Sequence, residues 1–346
     1  MTARALVVAV VLLASGRALA APVVFCYVET LYGGATIDSL DLGPCTHVID
    51  AFVLVDPSGA LVPANRLPRR ALVAAAHARG GKALVSVGGA TVAGETFASI
   101  AAHEASRARF LAAIERVVAA GGYDGVDLDW EFPMQAERAL HLELVRALRA
   151  RLGERATIVV GLSPGSRLLS YDFRGLARVA NYLIQFGYDF RNPALGPWAN
   201  DVQFWPDGAS APIEGSVRGA ASEMVRRGLP REQLVIALPL YASDGRPWSD
   251  VRARALAAPA PPHPLYLERQ VGSAWVNDPA SLEAKVRAVV AGSDIAGGAA
   301  AGLALWQLGH QGRYRDLTDA VRRALAAARG RRSPPAPTAG APTGGR

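Results

Sequence analysis

The stretch Tyr123-Asp124-Gly125-Val126-Asp127-Leu128-Asp129-Trp130-Glu131-Phe132-Pro133 carries three carboxylates at alternate positions. Alternation of polar with apolar residues is the period of a β-strand. Side chains two apart share a face, about 6–7 Å from one another. Asp127, Asp129 and Glu131 therefore form a row, and Val126, Leu128 and Trp130 turn the other way, into an apolar layer. Like charges at that spacing resist ionising together. Carboxylates held at different depths keep different proton affinities, so one can act as an acid near neutral pH. Glu131 at the outer end could protonate a leaving oxygen. Asp129 could orient a substrate group or stabilise developing positive charge, and Asp127 could share a proton with Asp129. Two other chemistries fit the residue types: a solvated acidic face on an edge strand, and a divalent-metal site. Hard cations need oxygens converging on one point, whereas neighbours along one strand diverge. The six histidines are scattered and none has zinc spacing. Neither a metal nor a cofactor is expected.

The elements that must position this row follow from the rest of the pattern. Short β-branched runs alternate with helical periodicity, the signature of β-α units around a parallel sheet. The predicted strands are 23–28, 47–55, 82–87, 125–131, 157–162, 182–188, 234–240 and 302–307. Predicted helices cover 69–78, 104–120, 136–152, 173–179, 217–227, 281–291 and 317–328. The connection 29–46 has no clear helix. Eight strands in this order predict a single-domain α/β fold, a (β/α)8 TIM barrel, whose site lies at the C-terminal ends of the strands. Glu131 would then close the fourth strand at the rim, with Asp127 deeper. No G-x-G-x-x-G turn follows a strand, which speaks against a doubly wound open sheet.

The two ends stand apart. Residues 1–20 hold Arg4, an apolar run from Ala5 to Ala14 and then Ala18-Leu19-Ala20, the pattern of a signal peptide cleaved near Ala20. The run is too short to span a bilayer, so the expectation is a secreted or periplasmic protein without a membrane anchor. Residues 329–346 lack any large apolar side chain and read as a disordered Pro/Gly/Arg-rich tail. That leaves 21–328 as the barrel, expected to be a monomer. Of the net charge of +7, six arginines lie in the two ends, where no acidic residue stands. The basic balance therefore gives no argument for a nucleic-acid partner. Cys26 and Cys45 are the two cysteines. In an exported chain an even pair reads as one disulfide, the alternative being two buried thiols. Closing a loop of about 20 residues is worth roughly 3 kcal/mol in the chain-entropy model.

Asp127-Leu128-Asp129-Trp130-Glu131, preceded by Asp124-Gly125, resembles the D-G-x-D-x-D-x-E signature of the family 18 glycoside hydrolases, the chitinase family. Further stretches resemble that family in the right order. They are Phe25-Cys26-Tyr27, Cys45 through Phe52, Ser86-Val87-Gly88-Gly89, Tyr188-Asp189, Pro239-Leu240-Tyr241, Trp275 through Lys285, and Trp306. The resemblance implies substrate-assisted retaining hydrolysis of an N-acetylated sugar, an exception to the two-carboxylate scheme. It implies that Glu131 is the proton donor, and that Asp129 bonds the acetamide N–H and Tyr188 its oxygen. Asp127, backed by Tyr27 and Ser86, would accommodate charge as Asp129 turns. Trp306, aided by Phe52 and Tyr241, would form the floor under the sugar. Asp189 would bond a sugar hydroxyl, and Gly88 and Gly89 would line the site. Trp198 and Trp205 are candidates either for stacking on distal sugars or for loop packing.

The implied partner is chitin or another N-acetylglucosamine-containing oligosaccharide, with peptidoglycan and N-glycan cores as alternative substrates. A non-hydrolysing chitinase-like lectin is the alternative of a different class, disfavoured because Glu131, Asp129, Asp127 and Tyr188 are all present. Three departures stand out. Phe186 occupies a position where the family often has methionine, which should reshape a pocket wall. Asp50 stands where the family often has an aromatic or amide residue, and by parity it should face the same way as Phe52 and need a partner. Only 33 residues separate Tyr241 from Trp275, too few for the α+β insertion domain of many relatives, so the cleft should be open on that side.

Overall fold

A computed structural model describes residues 21–62, 67–163, 167–189, 216–258, 267–292 and 295–330. The leader 1–20, Trp198, Trp205 and residues 331–346 lie outside the described residues. Seven strands come first: β1 (Val23–Val28), β2 (His47–Val53), β3 (Lys82–Gly88), β4 (Gly125–Asp129), β5 (Thr157–Leu162), β6 (Tyr182–Phe186) and β7 (Leu234–Pro239). A hairpin of β8 (Arg269–Val271) and β9 (Ala274–Val276) follows, then β10 (Gly302–Trp306). The barrel closes in the order β1-β10-β7-β6-β5-β4-β3-β2, every pair parallel. This is the predicted (β/α)8 barrel.

Both faces of such strands are covered, which is why they read as nearly unbroken apolar runs. Alternate residues divide between two cores. Phe25, Ile49, Leu84, Val159, Ile184, Val235 and Ala304 fill the barrel interior. Val24, Val48, Val85, Val126, Leu128, Ile158 and Leu183 turn outward to the helices. Trp130 joins that outer layer, packed at 5.6 Å on Phe97 and 5.5 Å on His141.

The helices are α1 (Arg70–His77), α2 (Gly94–Ala102), α3 (Glu104–Gly121), α4 (Arg138–Leu152), α5 (Phe173–Ala177), α6 (Val217–Arg226), α7 (Trp248–Ala257), α8 (Pro279–Ala291) and α9 (Asp316–Gly330). The connection from β1 to β2 holds only a 3₁₀ turn at Ile37–Ser39. Helix α8 is started by its own sequence: Asp278 accepts from the Ser281 N–H at 2.8 Å and Pro279 takes the first helical position. Between Tyr241 and Trp275 stand α7 and the start of the hairpin, with 259–266 outside the described residues. Among the described residues there is no α+β insertion domain. The cysteines form the expected disulfide, Cys26 of β1 to Cys45 just before β2.

Several expectations need correcting. The fourth strand ends at Asp129 rather than at Glu131. Helices α2 and α7 and the hairpin were not foreseen. Helix α9 continues through Arg329 to Gly330, into the stretch read as tail. Asp50 does not face the same way as Phe52. The register with β3 shifts between Asp50 and Val53, which breaks the two-residue parity. Phe52 packs with the interior cluster, while Asp50 turns outward and is buried.

Asp50 has partners there. Its Oδ1 accepts from Arg69 Nε at 2.5 Å, and its Oδ2 accepts from the Arg69 backbone N–H at 3.0 Å and the Tyr123 hydroxyl at 2.5 Å. The same guanidinium donates to the carbonyls of Val28, Glu29 and Ala51. One buried carboxylate thus ties the ends of β1 and β2 to the start of α1 and to the turn before β4. Removing one member of a buried ion pair strands the other and typically costs about 3–5 kcal/mol. Asp50→Ala should lower stability by that amount in urea denaturation, and a midpoint equal to that of the parent would refute this role.

Candidate active site

Asp127 and Asp129 project from β4 into the barrel, both essentially inaccessible to solvent. Asp127 is the deeper of the two and is anchored. The Tyr27 hydroxyl donates to its Oδ2 at 3.0 Å, and the Ser86 hydroxyl donates to the same atom at 2.7 Å. Ser86 reaches it because β3 and β4 pair with Ser86 opposite Asp127. Oδ1 of Asp127 and Oδ1 of Asp129 are buried without a hydrogen-bond partner among the described residues. Glu131 lies past the strand end, partly exposed at the barrel mouth.

The electrostatics follow from burial. Desolvation lifts Asp127 to about 6, against the pull of the Ser86 and Tyr27 bonds. Asp129 is raised well above the ordinary carboxylate range by desolvation, then by Glu131 and Asp127. Glu131 is raised to about 7 by desolvation, then by the charges of Asp189 and Asp127. The mouth of the barrel therefore holds a carboxylic acid that keeps its proton near neutral pH. Such a group can donate a proton to a bound leaving atom.

Aromatic side chains wall this row. Trp306, at the end of β10, lies 5.3 Å from the Tyr27 ring, edge to face, and 5.6 Å from Phe52. Phe52 fits because residue 89 is glycine: a Cβ there would lie 2.8 Å from the Phe52 ring, and φ is +81°. On the opposite side Phe186 stacks on Tyr188 at 5.3 Å with 9° between planes, and meets Phe132 edge-on at 5.7 Å. The Tyr188 hydroxyl is held protonated, its proton affinity raised by burial and by the Tyr241, Asp129, Glu131 and Asp189 groups. It can therefore donate a hydrogen bond. Tyr241 donates to Asp189 Oδ1 at 2.9 Å. Asp189 adopts a left-handed backbone, φ 56°, which aspartate tolerates better than most residues.

The structure thus gathers Tyr27, Phe52, Ser86, Gly88, Gly89, Asp127, Asp129, Glu131, Tyr188, Asp189, Tyr241 and Trp306 around the C-terminal end of the barrel. The sequence reading missed Phe132, which closes the Phe186–Tyr188 wall. It also missed His310, whose ring lies 5.1 Å from Tyr32 and 5.4 Å from Tyr241. Burial lowers His310 to about 4, so it sits there as a neutral ring. Gly161 of β5 was missed as well, although a glycine inside a strand signals close approach.

The family profile described as Glycosyl hydrolases family 18 matches residues 23–308. A protein named probable chitinase 2, from Drosophila melanogaster, is 27% identical over 248 residues, covering 63% of this chain and 50% of the relative. The chain spans half or less of the length of the first curated relatives it matches. Among solved structures, Ostrinia furnacalis Group IV chitinase in complex with allosamidin aligns with a TM-score of 0.71 at 20% identity, covering 89% of this chain and 99% of that one. The chitinase-like agglutinin of Robinia pseudoacacia aligns with a TM-score of 0.72 at 17% identity, covering 87% and 99%. At such identities the structural likeness speaks for the barrel alone, and enzyme and agglutinin share it equally. The profile match, running from the first barrel strand to just past the last, carries the assignment: this chain belongs to glycosyl hydrolases family 18.

Proposed function

We propose that this protein is a secreted retaining glycosidase that cleaves β-1,4 bonds of chitin or related N-acetylglucosamine-containing glycans by substrate-assisted catalysis. The observation that carries the reading is Glu131. Its carboxyl is lifted to about 7 at the barrel mouth, above two buried aspartates of which the deeper is fixed by Tyr27 and Ser86. Glu131 donates its proton to the glycosidic oxygen as the bond to the anomeric carbon breaks. The carbonyl oxygen of the substrate's own N-acetyl group attacks that carbon, giving an oxazolinium ion. Asp129 accepts from the acetamide N–H and balances the positive charge, and the Tyr188 hydroxyl donates to the acetamide oxygen. Asp127 beneath takes the proton that Asp129 gives up, so that Asp129 is ionised beside the oxazolinium. Ionised Glu131 then takes a proton from water as that water attacks the anomeric carbon from the face the leaving group left, breaking the bond to the acetamide oxygen, so configuration is retained.

Trp306, with Phe52 and Tyr241, supplies the apolar floor for the sugar ring, and Asp189 bonds a hydroxyl. Secretion is supported by the leader pattern and by the Cys26–Cys45 disulfide, a bond that persists in oxidising compartments. Peptidoglycan and N-glycan cores contain the same N-acetylated sugar. The site chemistry fits them equally, and the assay below separates them.

Wild type and Glu131→Gln should be compared on chitooligosaccharides, peptidoglycan and an N-glycoprotein, with products identified by mass. Glu131→Gln should lose about 10²–10⁴ in rate, the usual worth of a positioned general acid. Equal activity would exclude Glu131 as the acid. A wild type that binds an oligosaccharide without cutting it would make the protein a lectin. The pH dependence has a defined sign. Glu131 must be protonated to donate, so kcat/KM should be full below about 7 and fall as pH rises through that value. A profile flat from pH 5 to 9 would contradict the assignment. The short segment from Tyr241 to Trp275 leaves one side of the cleft open, which favours attack within a chain. Early products from insoluble chitin should be mixed oligomers, and release of disaccharide alone would count against this.

A further inference from the structure

Asp129 lies between two glycines on its neighbouring strands, and the two do different things. On β3, Gly88 is its register partner, and a Cβ there would lie 2.1 Å from the Asp129 carbonyl oxygen. With φ at +118°, Gly88 lets the backbone of β4 approach. On β5, the pairing of Leu128 with Val160 brings Gly161 alongside Asp129. A Cβ at Gly161 would lie 2.8 Å from Asp129 Oδ1 and 3.1 Å from Phe186 Cζ. Gly161 sits inside a regular strand, not among the glycines of positive φ. Its backbone would accept alanine. What the missing methyl leaves open is a niche filled by one carboxylate oxygen and the edge of one ring.

That oxygen has no hydrogen-bond partner among the described residues, so no bond from that side fixes the rotation of the carboxyl group. Packing has to do it, because interiors are close-packed and yield little. Phe186 is a firm boundary, 5% exposed and held between Tyr188 and Phe132. The Asp129 backbone cannot retreat, since Gly88 draws it against β3. The carboxylate is therefore oriented by shape, between a strand that lacks a side chain and an aromatic edge.

We propose that Gly161 and Phe186 are positioning residues of this site, together forming a niche that sets the orientation of the Asp129 carboxylate toward the N-acetyl group of the substrate. The proposal rests on the reading of Asp129 as the acetamide partner. A methyl group at 161 pushes Asp129 Oδ1 out of the niche while leaving the sugar floor at Trp306 and the acid at Glu131 untouched. Attack by the acetamide oxygen needs accurate alignment, so the loss falls on turnover rather than on binding.

The test compares Gly161→Ala, Phe186→Leu and the double variant, each checked for folding by thermal melting. With chitotetraose, Gly161→Ala should lower kcat by about 10²-fold, the effect of a misplacement near 1 Å, with KM changed little. The double variant should recover part of that loss, because leucine vacates the ring edge and gives methyl and carboxylate room together. A folded Gly161→Ala protein with parental kcat overturns the proposal, and a double variant no better than Gly161→Ala overturns the pairing with Phe186. A second readout needs no catalysis. In protein carrying ¹³C-carboxyl aspartate, with Asp129→Asn for assignment, the Asp129 resonance should shift in Gly161→Ala while that of Asp50 stays. An unmoved Asp129 resonance refutes the niche. Absence of any hydrolysis by wild type refutes the hydrolase reading alone and leaves this measurement standing.

Discussion

Two carboxylates buried inside a closed barrel set the terms for the rest of this structure. An isolated charge at such a depth is strongly disfavoured, and two within one strand are worse. The fold answers with protons and with donors. Asp127 keeps a lower proton affinity than its neighbour because Tyr27 and Ser86 both donate to it. Asp129 has no such anchor on Oδ1 and is pushed further toward the acid form. Glu131, outside the strand and partly wet, is raised to about 7, by desolvation first and then by the charges of Asp189 and Asp127. Differences in proton affinity along the row are thus produced by burial and by which neighbouring strands present hydroxyl groups.

The neighbouring strands supply more than hydroxyls. On β3 the order Ser86, Val87, Gly88 puts a donor opposite Asp127 and an absence of side chain opposite Asp129. At the end of β6 and just past it, the order Phe186, Gly187, Tyr188 puts two stacked rings along the same side of the row. Trp306 and Phe52 close the other side. The interior is consequently polar along one narrow column and apolar elsewhere. A low-dielectric wall around that column strengthens every interaction within it.

Much of this was legible in the sequence. Parallel strands buried on both faces announce themselves as β-branched runs, and the acidic alternation on β4 marked the carboxylate row at the mouth of the barrel. What escaped did so for identifiable reasons. Glu131 lies beyond the strand because alternation continues past the last ladder bond. Asp50 defeated parity because β2 shifts register between Asp50 and Val53, and its partners Arg69 and Tyr123 lie on other elements. Helix α7 buries only Trp248, Val251 and Ala255 among arginines and alanines, too thin a stripe for periodicity to detect. Gly161 could not be recognised without knowing which residue of β4 it stands beside. Such information belongs to register, and no single strand contains it.

The way the barrel closes gives the disulfide a meaning in the order of assembly. Strand β1 has β2 on one side and β10 on the other, so one neighbour follows within a few tens of residues and the other comes only near the end of the chain. Until residues 302–306 are made, β1 is an edge strand with unpaired amides, the kind of edge that invites wrong pairing. The covalent link from Cys26 to Cys45 lies on the other side of β1, tying it to the residue just before β2, its early partner. In a polypeptide made from its N-terminus, both cysteines are present long before the last strand, so the bond can fix the first barrel pair while the other edge of β1 still waits. Its value lies as much in the unfinished molecule as in the finished one.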